Sequence, residues 1–337
     1  MVDLRTRYLG MELKNPVIVG ACSLTADMKT LEQIEGAGAG AVVIKSLFEE
    51  QIQLERLQLE NEMEKYSERH AEMITIFPDL THQGPKEHLY WVKEAKKALN
   101  IPVIASLNAV SEATWLEYAK QLADTGADAL EVNLYSSPKA AELTATAIEE
   151  AQIALIKKIH AAVAIPVAVK LSYFYTNPLH FIQQVDKTGA QAVVLFNRLF
   201  QPDIDVSKLK NIFPFLLSDK TDNRLPLRFA GQLFDRITAD ICSSTGIMDA
   251  DDLVKMILAG ANAVQIVSTL YKNGVGQVSG IINGLTGWME EHGYQSLQDF
   301  RGTLSKKNST DPWSYERAQY VRLLLHPEHM LDKYPAV

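Results

Sequence analysis

Gly126-Ala127-Asp128-Ala129-Leu130-Glu131-Val132-Asn133 opens on a glycine and two alanines, runs through a mostly apolar segment and ends on an amide. The phrase at its head, Gly-Ala-x-Ala, recurs at Gly38-Ala39-Gly40-Ala41, Gly189-Ala190-Gln191-Ala192 and Gly260-Ala261-Asn262-Ala263, and each copy leads into an apolar run. A second phrase, Pro-Val, opens further apolar runs at Pro16-Val17, Pro102-Val103 and Pro166-Val167. A glycine that follows a helix can take the left-handed capping conformation. Small alanines beside it let the helix end lie close to a sheet. The chain therefore reads as one strand-helix unit repeated.

The repeat predicts an α/β fold, a (β/α)8 TIM barrel in a single domain over residues 1–337. Its strands are expected at Val17–Gly20, Ala41–Lys45, Val103–Ser106, Ala129–Asn133, Val167–Lys170, Ala192–Phe196, about Ala239–Ser243 and Ala263–Val267. All are short and nearly all apolar, as strands buried on both faces must be. Residues 4–16 read as an N-terminal hairpin lid turning at Leu9-Gly10-Met11. The first helix is expected from Asp27 to the Gly36–Gly40 cluster. Ser111 is a good N-cap for the next, with Trp115, Tyr118, Ala119 and Leu122 at helical spacing on its buried face. Ile148, Ala151, Leu155 and Ile159 mark another such face. Asp249 reads as a helix cap.

Two connections are too long for simple loops. Residues 46–90 follow strand two and carry a charged stretch, Glu49 to Glu72, expected to be helical until Phe77-Pro78-Asp79. Residues 198–236 follow strand six and contain Phe213-Pro214-Phe215 and Leu225-Pro226-Leu227. Both leave the C-terminal ends of strands, where such barrels place their chemistry.

Bulk properties narrow the function. The formal net charge of −8 over 337 residues argues against a phosphate-gripping nucleic-acid surface. The two cysteines, Cys22 and Cys242, form no CxxC pair, so this chain alone offers no iron-sulfur or zinc cage. No apolar run reaches the roughly 20 residues that span a bilayer, and the first residues lack a signal peptide's apolar core. These features predict a cytoplasmic enzyme without a membrane or nucleic-acid partner.

Polar residues end the strands: Lys45, Ser106, Asn133, Lys170, Asn197 and Ser268. A lysine at a dry rim is costly unless it meets negative charge. Lys45 and Lys170 could neutralise an anionic cofactor, form a Schiff base or bind phosphate. Asn108, Asn133 and Asn197 offer donors and acceptors suited to a planar heterocycle. Ser243-Ser244-Thr245-Gly246 and Ser268-Thr269 follow strands seven and eight, where barrels of this kind cradle phosphate. Ser137, directly before Pro138, and Ser136 beside it are candidate bases, although serine is a poor base unless its proton is passed onward.

Taken in order, Asn15-Pro16 with Gly20-Ala21, Ile44-Lys45-Ser46, Glu131-Val132-Asn133-Leu134, Val169-Lys170-Leu171, Asn197, Thr245-Gly246-Ile247 and Gly293-Tyr294-Gln295-Ser296 with Asp299-Phe300 resemble the dihydroorotate dehydrogenase family. The resemblance implies FMN across the barrel mouth. Gly20, Ala21, Lys45, Asn108, Asn133, Lys170 and Gly231 would line the flavin, and Thr245, Gly246 and Ser268 would hold its phosphate. Asn133 and Asn197 would address a dihydropyrimidine substrate, with Lys45 orienting it. Ser137, or Ser136, would take a proton as hydride leaves for the flavin. A homodimer is expected from the resemblance alone. Two readings from other classes remain open: a lyase using Lys170 as Schiff-base former, and a flavin-binding protein with weak catalysis.

Overall fold

The computed structural model describes residues 2–49, 85–109, 111–134, 142–198, 201–214, 216–311 and 313–325. The expected charged helix beyond Glu49, the Phe77-Pro78-Asp79 break and the two candidate base serines, Ser136 and Ser137, lie outside these residues.

Thirteen strands are described, numbered in chain order from β1 (Thr6–Tyr8) and β2 (Met11–Leu13). The barrel consists of β3 (Val17–Val19), β4 (Ala41–Val43), β6 (Val103–Asn108), β7 (Ala129–Leu134), β8 (Val167–Leu171), β9 (Ala192–Leu195), β12 (Asp240–Ser244) and β13 (Ala263–Ile266). Each pairs in parallel with the next, and β13 pairs with β3, so eight strands close a ring. β5 (Leu47–Phe48) extends one edge beside β6. The predicted strands fall within a residue or two of the observed ones.

Side chains alternate across each strand. The outward set (Val17, Val42, Val103, Leu130, Val169 and Val193 among others) packs under the helices. The inward set fills the ring, and here the repeated phrase has a second meaning. Its last alanines, Ala41, Ala129, Ala192 and Ala263, are buried together inside the barrel with Ile18, Ile104, Ala168 and Cys242. Four alanines leave room at the N-terminal end of the ring. The β1–β2 hairpin fills it with Tyr8, Leu9 and Leu13, all fully buried in this inner cluster.

The hairpin expected as a lid is thus a plug at the end opposite the strand termini that carry chemistry. Asp240 accepts the Leu9 N–H at 2.9 Å, and Thr6 donates to the Asn262 carbonyl at 2.8 Å. The Tyr8 hydroxyl is buried with no oxygen or nitrogen partner; the weakly bonding Cys242 thiol is beside it, and Glu131 and Asp240 are near enough to act on it. Burial of an unpaired hydroxyl costs about 1–3 kcal/mol. Tyr8→Phe should therefore raise the unfolding free energy by about 1 kcal/mol in urea titrations. A fall of similar size would show that the hydroxyl has a partner that matters.

Helix starts follow the capping rules. Asp27 accepts from Thr30 N, Ser111 from Thr114 N, and Asp249 from Asp252 N. Trp115, Tyr118, Ala119 and Leu122 are all buried, as their spacing predicts. In the helix Ala145–Ala162 the face differs: Ala151 is exposed, while Ile156 and Ile159 are buried. The face turns toward Gln152, which accepts from the Tyr175 hydroxyl at 3.0 Å, a polar contact that apolar spacing does not register.

The connection after β9 is shorter than expected. It holds a small hairpin, β10 (Asp203–Asp205) with β11 (Lys210–Ile212). The helix Arg224–Leu233 that follows packs against β12 and β9, as a regular barrel helix does. Pro226 belongs to that helix's first turn, where a missing N–H costs no helical bond.

Candidate active site

At the C-terminal ends of the strands lies a cavity of about 530 Å3, within the usual range for small-molecule sites. Ala21, Lys45, Asn108, Asn133, Lys170, Asn197, Thr245, Gly246 and Ser268 all line it. Lys45 and Lys170, 125 residues apart by their numbers, thus share one cavity. Gly20 lies just behind the wall: a Cβ there would come 2.9 Å from the Val267 side chain and 3.2 Å from Gln265 Oε1.

Gly231 is not part of this wall. It is buried in the helix Arg224–Leu233, where a Cβ would meet the Tyr315 hydroxyl at 2.3 Å and where its carbonyl accepts from Lys306 N. It lets the C-terminal segment close on the helix. The connection's contribution to the cavity is Ser218 instead, with Leu216, Leu217 and Arg198.

Alternation sets the floor. Asn133, Glu131 and Ala129 share the inward face of β7; Lys170 and Ala168 share that of β8; Gln265 and Ala263 share that of β13. Lys170 is 7% exposed and donates to Gln265 Oε1 at 2.8 Å. Gln265 in turn donates through Nε2 to Glu131 Oε2. Glu131 is 1% exposed, and its other oxygen lies 3.5 Å from Lys170 Nζ. The ammonium is thereby held from beneath at the rim of the cavity, with its charge matched by a buried carboxylate. An amine held so is the wrong species for Schiff-base formation, which needs a neutral nucleophile.

Two of the three candidate amides meet directly, and Asn108 borders the same cavity. Asn197 Nδ2 donates to Asn133 Oδ1 at 3.1 Å. Ser46 and Ser106 share a hydrogen bond of 2.7 Å beside them. Lys45 is exposed and has no carboxylate partner among the described residues. His88 is near enough to feel it: burial, and then the Lys45 charge, push the imidazole down to about 4, so His88 is neutral. Cys22 also borders the cavity, and burial pushes its thiol above the ordinary value. It is a neutral thiol, not a ready nucleophile.

The turns after β12 and β13 form a polar corner. Thr245 and Gly246 both have positive φ, 80° and 77°. The helix Ser268–Asn273 begins at Ser268. Ser218 knits the corner together: its N–H and hydroxyl both donate to Ser268 Oγ, at 3.0 and 2.8 Å, and its Oγ accepts from Gly246 N at 3.3 Å. Lys272 Nζ donates to the Ser218 carbonyl at 2.7 Å. Hydroxyls and backbone N–H groups in one corner suit a phosphate, with Lys272 outside the lining, behind Ser218.

Glu131, Gln265 and Ser218 are the residues that reading the sequence for polar strand ends passes over. For the first two a signal existed: a polar side chain on the inward register of an apolar strand. For Ser218 there was none, because its partner is 50 residues away.

The dihydroorotate dehydrogenase family profile matches residues 3–289. The chain is 26% identical over 315 residues to a protein of Thermoplasma acidophilum named dihydroorotate dehydrogenase B (NAD(+)), catalytic subunit, covering 90% of this chain and 99% of that one. It is 25% identical over 307 residues to a protein of the same name from Alkaliphilus metalliredigens, covering 90% and 99%. It is 26% identical over 322 residues to a dihydroorotate dehydrogenase A (fumarate) of Lactobacillus delbrueckii subsp. bulgaricus, covering 90% and 98%.

Proposed function

Because the chain belongs to the dihydroorotate dehydrogenase family, and is with it an oxidoreductase acting on CH–CH bonds, we propose that it oxidises dihydroorotate, or a related dihydropyrimidine, using FMN. The observation that carries this reading is Lys170: a charged lysine, anchored from beneath by Gln265 and Glu131, at the edge of a cavity walled by three asparagines.

The residues fit the cofactor. The cavity has room for a tricyclic ring, Lys170 meets a site of growing negative charge, and the Ser218–Ser268 corner suits a phosphate. Bound FMN supplies the hydride acceptor. With FMN bound, Lys170 would supply fixed positive charge to the ring as it is reduced; preorganised charge of this kind is a large contribution to catalysis. Asn133 and Asn197, fixed to one another, present an acceptor and a donor to the substrate's imide edge. Lys45, bordering the same space, orients the substrate and matches its carboxylate. Ser137, or Ser136, in the sequence that follows β7, would take the substrate's proton as its own hydroxyl proton passes onward to solvent. The chain works as a homodimer, free of membrane and nucleic acid. No described helix is long and apolar enough to cross a membrane.

Mixed without oxygen, the FMN-loaded protein should lose its visible flavin absorbance on adding dihydroorotate. A flavin that stays oxidised with dihydroorotate but bleaches with another dihydropyrimidine would move the substrate and keep the chemistry. A protein that takes up no FMN would end the reading.

A further inference from the structure

We infer that Glu131 is a positioning residue that acts through Lys170: it keeps the lysine charged and aimed, and so presets the electrostatics beneath the cofactor. The inference rests on the flavin reading above, which takes Glu131 only as an anchor of the lysine and gives it no effect on the cofactor.

The observations are geometric. Glu131 sits in the middle of β7, two residues inward from Asn133, on a strand otherwise apolar. It is one of the most deeply buried carboxylates described, and among the described residues no backbone N–H donates to it. Its ties are to Gln265 and to Lys170. Gln265 bridges the two: its carbonyl oxygen accepts a hydrogen bond from the lysine and its amide nitrogen donates to the carboxylate, which fixes the orientation of the amide. A carboxylate so placed touches neither cavity nor substrate, since Glu131 does not line the cavity while Lys170 and Gln265 do. Burying it is costly. Elsewhere in the ring inward positions hold apolar side chains, Val43 on β4 and Val194 on β9, while beside Glu131 stand Ser106 and Ala168.

Among the described residues the lysine has one counter-charge. The titratable groups around it are Glu131 from β7, Cys242 from β12 and Cys22 from the turn after β3, with Lys45, Arg198 and Tyr271 on the walls of the same cavity. Tyr8 of the plugging hairpin lies below, beside Cys242, with Asp240 further down. Burial raises both thiols and the phenol, so all three are neutral. Burial raises Asp240 too, and its carboxylate is spent on the hairpin and Asn262. An ammonium stripped of its only near carboxylate in a dry site tends to neutralise by losing its proton. The cofactor would then reduce against less positive charge.

The test uses FMN-loaded protein and sulfite, which adds to oxidised flavin and leaves negative charge where reduction does. Bleaching titrations give its affinity, expressed per sulfite dianion, from about pH 6 to about pH 9. The wild type should be nearly flat across this range. Glu131→Gln, which preserves shape and the Gln265 contact, should bind sulfite at least about tenfold more weakly at the alkaline end and recover toward the acid end. Glu131→Asp, which keeps the charge, should follow the wild type. An E131Q protein that holds FMN yet matches the wild type within about twofold throughout would overturn the inference. So would a wild-type profile that itself falls within the range, a result that needs no variant to fold. If the wild type binds no flavin, the functional reading fails instead, a different outcome.

Discussion

Lys170→Met should slow flavin reduction by dihydroorotate about a hundred- to a thousandfold, the cost typical of deleting one preorganised group that meets developing charge. The same change should destabilise the fold by about 3–5 kcal/mol, because it leaves Glu131 buried and unpaired. The two effects have separate origins, and a second substitution separates them. Glu131→Gln added to Lys170→Met removes the orphaned charge. The double variant should regain most of the stability, read from urea titration, and none of the rate, read by stopped flow. A single variant that reduces flavin at the wild-type rate would remove Lys170 from the chemistry. A single variant as stable as the wild type would show that water or movement reaches Glu131 in a site described as closed.

That coupling shows where the sequence was legible. The barrel could be read because its signal is periodic: each phrase returns at a helix end, and each apolar run is a strand covered on both sides. The rim residues could be read because a polar residue stands out where an apolar run stops. Lys45, Asn133, Lys170 and Asn197 were found that way, and all line one cavity. Glu131 and Gln265 stand inside such runs, so a search for strand ends passed over them. The alanines show the same limit from the other side. Their small size reads as close approach of helix to sheet, yet Ala41, Ala129, Ala192 and Ala263 face inward and make room for Tyr8 and Leu9. Nothing local says so, because Tyr8 and Leu9 lie more than 30 residues away in the chain from the nearest of them. Gly231 is a flavin residue only by the resemblance, and the group that closes on it in this chain is Tyr315.

Gly246→Val should weaken FMN binding at least about a hundredfold while leaving riboflavin within a fewfold, the arithmetic of a lost phosphate site worth roughly 3 kcal/mol. Gly246 has φ of 77°, a conformation that costs a residue bearing a Cβ about 1–2 kcal/mol and a β-branched one more. Space forbids the side chain as well. A Cβ at this position would lie 2.5 Å from the Asn223 N and 2.7 Å from the Asp219 carbonyl, both backbone atoms. The turn that carries them must move, and it is tied to the corner twice. Asn223 Nδ2 donates to the Gly246 carbonyl at 3.2 Å and to Asp252 at 2.9 Å, and Ser218 one residue before Asp219 binds Ser268. Pushing the turn away opens the corner that would grip the phosphate, and leaves Lys170 and the asparagines on their own strands. Riboflavin has the ring but no phosphate, so it reports on those strands alone. Equal losses for both ligands would place the phosphate elsewhere. No loss for either would mean that the polar corner after β12 and β13 is not where the cofactor is held.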